Sequence, residues 1–267
     1  MIWERIISAL IGIPILILFV YIGGIPLVIF VVLVALVGLF ELQRIYRRMQ
    51  FNVPQTLIYG SAFLFPLLAY FTPDSRECSY LFTGLILFFI VHMMLLVFAF
   101  PRLGIDDLAL SYLGSCYISV LLSHLILIRK FTPYGWQLLL LVFLLTWACD
   151  IGAYFIGRLF GHRALYPTLS PHKTLEGSIG GILFCLGTAA LFQFFCPILT
   201  YPKALFFGII IGVVVQIGDL AESALKRMGK IKDSGNLIPG HGGILDRFDS
   251  LLFSAPIAYF FMKMILP

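Results

Sequence analysis

The sequence predicts an all-α fold: a polytopic integral membrane bundle of about nine transmembrane helices, with the N-terminus in the cytoplasm. Three observations predict it. Of the 267 residues, 61% are hydrophobic and only 12% are charged, with a mean hydropathy of +1.03. About a quarter of the residues of an ordinary soluble protein are charged. Apolar runs also recur along the whole chain, and a run of roughly 18 such residues is long enough to cross a bilayer as a helix. Finally, the ten-residue alternation expected of an outer-membrane barrel is missing. Helices are then the way to satisfy backbone polar groups in lipid.

The runs fall at 6–22, 25–40, 55–71, 79–99, 108–128, 135–157, 177–197, 203–221 and 249–266. The first, "IISALIGIPILILFVYIGG", follows one basic residue, Arg5, and ends without a small-x-small cleavage site. It reads as a retained first helix, not as a signal peptide. Gly23, Gly24 and Pro26 join it to the second run as a tight hairpin. The five cysteines, Cys78, Cys116, Cys149, Cys185 and Cys196, form no CxxC, and four lie in apolar runs. They read as small hydrophobes with no zinc site or disulfide framework.

Orientation follows from Lys and Arg placement. Nine spans put Arg5, Arg44, Arg47, Arg48, Arg102, Arg158, Arg163, Lys173, Lys226, Arg227, Lys230, Lys232 and Arg247 on one side. Arg76, Arg129, Lys130, Lys203 and Lys263 lie on the other. Thirteen against five sets the N-terminus inside and the C-terminus outside. The expected organisation is one integrated membrane domain: N-terminal helices over 1–130 and a catalytic region over 131–267. Two polar, glycine-rich cytoplasmic loops, 158–176 and 222–248, belong to that region. Long loops in a compact chain are usually functional or disordered.

The polar residues inside this greasy chain are the candidates for chemistry. Asp150 and Asp219 lie in apolar runs, where a carboxylate costs a few kcal/mol unless it faces a cavity or a partner. Helical spacing continues the stripe from Asp219 through Glu222 or Ser223 to Lys226. In "LDRFDS", Asp246 and Asp249 are three residues apart and share a helix face. Asp219, Asp246 and Asp249 are therefore the expected metal ligands, with Asp150 as an additional one. Three acids at a membrane surface suit Mg2+, which takes few protein carboxylates and leaves positions for phosphate oxygens. Like charges repel, so replacing one of the three by Asn is expected to leave the fold intact. Between the acids lies "GNLIPGHGGILD", whose Gly235, Gly240, Gly242 and Gly243 let backbone N–H groups approach a ligand. Lys226, Arg227, Lys230 and Lys232 add phosphate-binding charge. The second loop contributes Ser170, Lys173, Thr174 and Glu176, without P-loop spacing. His92 and His124, in apolar runs, read as structural; His241, between glycines, is the candidate histidine.

Those residues resemble a known family. Ser223 to Asp249, "SALKRMGKIKDSGNLIPGHGGILDRFD", is similar to the signature of phosphatidate cytidylyltransferases, also called CDP-diacylglycerol synthases. The matching positions are Ser223, Lys226, Arg227, Lys232, Asp233, Pro239, His241, Gly242, Gly243, Asp246, Arg247 and Asp249. "CDIGAYFIGRLFG" and "SPHKTLEGSIGG" resemble the family's upstream segments, with Ile151 where the family often has serine. The resemblance covers roughly 147–250; the first five helices match in hydrophobicity alone. It implies a cytoplasmic-membrane enzyme that joins CTP and phosphatidic acid into CDP-diacylglycerol and pyrophosphate. One or two cations, Mg2+ among them, would serve it. Asp219, Lys226, Arg227, Asp246 and Asp249 are the expected catalytic set. Lys173, Ser223, Lys232, His241, Gly242, Gly243 and Arg247 are the expected substrate-binding set. CTP and membrane lipid are the partners, no nucleic acid is expected, and a homodimer is the candidate assembly. The alternatives are a CDP-alcohol phosphotransferase-like enzyme, whose DGxxAR run is missing, and a cation- or proton-coupled transporter, whose inverted repeat is not visible.

Overall fold

The structure is a computed structural model that describes residues 2–73, 79–235 and 242–266. It is an all-α helix bundle with one small hairpin. The helices are α1 (Ile2–Ile22), α2 (Gly24–Arg48), α3 (Gln55–Phe71), α4 (Ser79–Ala99), α5 (Ile105–Ser115), α6 (Leu121–Arg129), α7 (Gly135–Phe160), α8 (Leu175–Phe195), α9 (Tyr201–Met228) and α10 (Leu245–Ile265). A π-helical turn, Cys116–Val120, joins α5 to α6, so the two run as one rod over Ile105–Arg129. Strands β1 (Ala164–Tyr166) and β2 (Ser170–Thr174) pair antiparallel between α7 and α8. Among the described residues, seven helices are long and apolar enough to cross a membrane. Two shorter apolar helices, Leu10–Ile22 and Gln55–Phe71, coincide with the first and third runs. The chain is an integral membrane protein.

The burial pattern fits lipid as the solvent. Val97, Phe98, Phe194 and Phe195 are more than two-thirds exposed, although each is strongly apolar. The buried side contains Leu39, Leu42 and Ile45 of α2, Leu138, Val142 and Leu145 of α7, and Ala255, Ala258 and Tyr259 of α10. In lipid, helices associate mainly by close packing, and small residues permit it. A Cβ at Gly177 of α8 would lie 2.7 Å from the Ala153 carbonyl oxygen of α7. One at Gly208 of α9 would lie 3.1 Å from the Cys185 carbonyl oxygen of α8. This seam draws α7, α8 and α9 together.

The two buried histidines of the bundle find local backbone acceptors, as most buried polar groups do. His92 donates from Nδ1 to the Phe88 carbonyl at 2.8 Å, and Ser111 Oγ sits 3.0 Å from its Nε2. His124 Nδ1 donates to the Val120 carbonyl at 2.9 Å. Both histidines are structural parts of the bundle.

Helices α7 and α9 run further than the apolar pattern alone suggests. The α9 continuation, "LAESALKRM", is built of strong helix formers, and it carries Glu222 and Lys226 as helical residues. The polar connection between α9 and α10 is correspondingly shorter than 222–248. At the opposite end, two basic residues close other helices. Arg129 donates through Nε to the Val20 carbonyl (2.9 Å) and through Nη2 to that of Tyr21 (2.8 Å), in the last turn of α1. Gly23, with φ +67, leaves space for that guanidinium; a Cβ there would lie 2.7 Å from Nε. Lys130 Nζ donates to the carbonyls of Ala69 (3.3 Å), Tyr70 (2.7 Å) and Thr72 at the end of α3. Orphan carbonyls and the negative end of a helix both favour a cation there.

Lys130→Met keeps the stem and removes those donors. A hydrogen bond to a charged group contributes about 1.5–3 kcal/mol. The expected result is a clearly lower thermal midpoint of the variant in detergent. An unchanged midpoint would show that the α3 cap contributes nothing.

Candidate functional site

The polar residues of the second half converge at one end of the bundle, around a cavity of about 1070 Å³. Helix α7 presents Asp150, Tyr154 and Arg158 to it, spaced four residues apart and so on one face. Helix α8 enters through a side-chain cap: Thr174 Oγ1 accepts the Gly177 N–H at 3.1 Å. Glu176 Oε2 accepts the N–H groups of His162 (3.1 Å) and Arg163 (3.2 Å), which fixes the approach to β1. The register Ala164↔Thr174 and Tyr166↔Ser170 then carries Lys173 over the cavity. Lys173 is paired with Asp219 of α9.

Helices α9 and α10 supply the acids. Gly218 allows the approach: a Cβ there would lie 2.8 Å from the Asp249 carbonyl oxygen. Asp219, Glu222 and Asp249 each offer an oxygen, and these lie within 4.8 Å of one another. Glu222 is fully buried, and its Oε1 has no hydrogen-bond partner among the described residues. Asp219 and Glu222 are three residues apart on α9, so the helix aims them together.

Asp246 is met by donors at both of its carboxylate oxygens. Its Oδ1 lies 2.6 Å from Lys226 Nζ. Its Oδ2 accepts the backbone N–H groups of Ser234 (3.0 Å) and Gly243 (2.9 Å), and Ser234 Oγ at 2.9 Å. Asp246 lines the cavity with both oxygens partnered, beside the close group of Asp219, Glu222 and Asp249. Lys226 bridges the two sets, with its Nζ 2.5 Å from Glu222 Oε2. It sits in the cavity wall as their shared counter-ion.

The remaining predicted residues divide. Asp150, Lys173, Gly242 and Arg247 line the cavity with the acids. Gly242 has φ +81, a left-handed conformation that favours glycine. Gly243 contributes its N–H to Asp246. Arg227 donates through Nε to the Leu169 carbonyl (3.2 Å) and through Nη1 to that of Ile231 (3.3 Å), tying the hairpin to α9. Ser223 and Lys232 are not part of the described cavity wall. His241 lies outside the described residues.

Two residues escape the sequence reading. Glu222 appears there only as a member of the Asp219 stripe, and its i+3 spacing is the signal that could raise it to a ligand. Glu41 of α2 carries no such signal beyond being an acid at the end of an apolar run. It is 2% exposed and lies against the start of α10.

The pattern of the cytidylyltransferase family matches residues 3–265. The chain belongs to the cytidylyltransferase family. Among its relatives, the phosphatidate cytidylyltransferase of Bacillus subtilis is 36% identical, across 98% of this chain and 97% of that protein. The phosphatidate cytidylyltransferase of Synechocystis sp. is 33% identical, across 99% and 97%. That of Staphylococcus haemolyticus is 34% identical, across 94% of each. The likeness therefore includes the N-terminal helices, where the sequence offers only hydrophobicity as a match.

Asp246→Asn tests the structural role of this acid in a cytidylyltransferase site. The variant loses the Lys226 ion pair and places an amide against backbone donors. Charged hydrogen bonds of this kind contribute about 1.5–3 kcal/mol each. The melting temperature in metal-free detergent is expected to fall. A stable or more stable variant would restore Asp246 to the group of mutually repelling acids.

Proposed function

We propose that the chain transfers the cytidylyl group of CTP to phosphatidic acid, forming CDP-diacylglycerol and pyrophosphate. The observation that carries this reading is the cavity itself. Asp219 and Asp249, close to the buried Glu222, face two lysines and two arginines in an apolar bundle whose chain belongs to the cytidylyltransferase family. A polyphosphate needs cationic groups around its oxygens, and a divalent cation needs hard oxygen ligands.

Asp219, Glu222 and Asp249 fit Mg2+. They are all-oxygen donors, and the buried Glu222 Oε1 lacks a hydrogen bond that a cation would replace. When bound, Mg2+ supplies charge neutralisation and orientation of the phosphate oxygens. The chain's own residues do the rest. Lys173, Lys226 and Arg247 hold negative charge at the cavity wall. A lipid phosphate oxygen attacks the α-phosphorus, the bond to the bridging oxygen breaks, and the electron pair leaves with pyrophosphate. The nucleophile is already an anion near neutral pH, so the chain need not supply a strong base. Positioning and electrostatics dominate such transfers. The end-on cavity in a lipid-exposed bundle suits one water-soluble and one membrane substrate.

Asp249→Asn and Asp219→Asn test the metal assignment. Each variant, assayed with radiolabelled CTP and phosphatidic acid, is expected to need at least about tenfold more Mg2+. Loss of even an outer partner of a metal ligand costs that much. Wild-type Mg2+ dependence in both would remove these acids from the metal site. Purified protein that leaves CTP intact beside phosphatidic acid would sink the enzymatic reading altogether.

The positive-charge bias supports nine spans in a bacterial inner membrane, with this cavity in the cytoplasm. A reporter inserted in 163–169 should score as cytoplasmic, and one fused after Pro267 as external. Both on one side would break that topology.

A further inference from the structure

Helix α10 begins with an unusual cap. Its N-cap residue is Ile244, which has no side chain able to accept a hydrogen bond. The first N–H groups of a helix still need acceptors when buried. Glu41, about 200 residues away in sequence, supplies them: Oε1 accepts the Ile244 N–H at 3.0 Å and Oε2 the Leu245 N–H at 2.8 Å. Ser234 Oγ lies 2.9 Å from the same Oε2, and also 2.9 Å from Asp246 Oδ2. Its single proton serves one of these acceptors at a time. The loop is shaped around this carboxylate. A side chain at Gly235 or Gly243 would collide with Glu41. Further along α2, a Cβ at Gly229 would lie 2.7 Å from Ile45, so α2 also braces the end of α9.

We infer that Glu41 is a positioning residue for the reaction: by capping α10 from α2, it sets Asp249 against Asp219 and Glu222. The inference rests on the functional reading above, in which those three acids hold the cation. Glu41 does not line the cavity. Its effect passes through the first turn of α10, where Asp249 is four residues beyond Leu245. A buried anion at a helix N-terminus also meets the positive end of the helix dipole. Charge-assisted hydrogen bonds to N–H groups are the strong ones, so the cap fixes the register of α10.

The test is Glu41→Gln, purified in detergent as the full chain. The amide can satisfy the donors at one oxygen position but presents its NH2 to the N–H at the other. Turnover at saturating CTP and phosphatidic acid is expected to fall about tenfold or more, while the half-activating Mg2+ concentration rises several-fold. The Mg2+-dependent rise in melting temperature, which needs no turnover, should shift to higher Mg2+ in step. A purely structural residue would lower the melting temperature and leave the Mg2+ requirement of the folded fraction unchanged, and that result overturns the inference. If Glu41→Gln yields no folded protein, Glu41→Asp is measured by the same readouts. The shorter acid should raise the Mg2+ requirement, and a wild-type requirement overturns the inference equally. Wild-type protein with no Mg2+-dependent stabilisation and no CTP turnover defeats the functional reading and takes this inference with it. A responsive wild type with a matching Glu41→Gln defeats the inference alone.

Discussion

A carboxylate inside an apolar bundle must be met by a donor or a cation. Several carboxylates gather at one end of this molecule, and the way each is met differs. Glu41 and Asp246 are surrounded by N–H and O–H donors, with Lys226 completing Asp246. Asp219, Glu222 and Asp249 are met by each other, by two lysines and, at Asp249, by the Ser250 N–H, with Glu222 Oε1 left without a hydrogen bond among the described residues. Asp150 faces the same cavity. The first pair fixes backbone; the second group retains capacity for a ligand. An unpaired polar atom in a dry interior is costly, so the protein must tolerate it for a reason. In the function proposed above, a cation would supply the missing partner.

The same rule organises the far end of the bundle with opposite sign. Arg129 and Lys130 meet the orphan carbonyls that close α1 and α3. From Gly24 to Glu41, α2 rises about 25 Å at 1.5 Å per residue. It thus starts beside a guanidinium and reaches the acid-rich end with its own buried acid. Basic groups at helix C-termini and an acid at a helix N-terminus each follow the helix dipole. Two of the five basic residues on the side expected to face outward therefore have structural partners. Lys173, Lys226 and Arg227, on the side expected to face inward, have structural partners as well.

The apolar periodicity made the helices legible, because lipid imposes both their length and their composition. What it concealed was their polar continuation. Glu222 and Lys226 lie on α9 because "LAESALKRM" is a good helix former regardless of hydropathy. Asp150 and Asp219 are legible as acids in apolar runs, and Asp249 through its three-residue spacing from Asp246. Asp246 looked equivalent to them, since side-chain spacing carries no information about backbone donors folding back from Ser234 and Gly243. Glu41 was invisible for a different reason: its partners are about 200 residues away, and only tertiary packing brings them together. The glycines were read as room for a phosphate. At Gly235 and Gly243 the room is taken by the chain's own carboxylate.

That last point explains why a site built from α7 to α10 comes with an N-terminal half. A short loop rich in glycine cannot hold two acid-bearing helices in register, since each glycine adds backbone freedom that folding must remove. Capping residues within the loop could help, but Ile244 at the α10 N-cap cannot. The acceptor is placed instead on α2, a rigid buried helix packed against α3 and the α5–α6 rod. An anchor on a helix is positioned more tightly than one on a loop, and a binding geometry has to be held to within a fraction of an ångström. The N-terminal helices thereby belong to the chemistry without lining the cavity. The family pattern spans residues 3–265, with both α2 and α10 inside it.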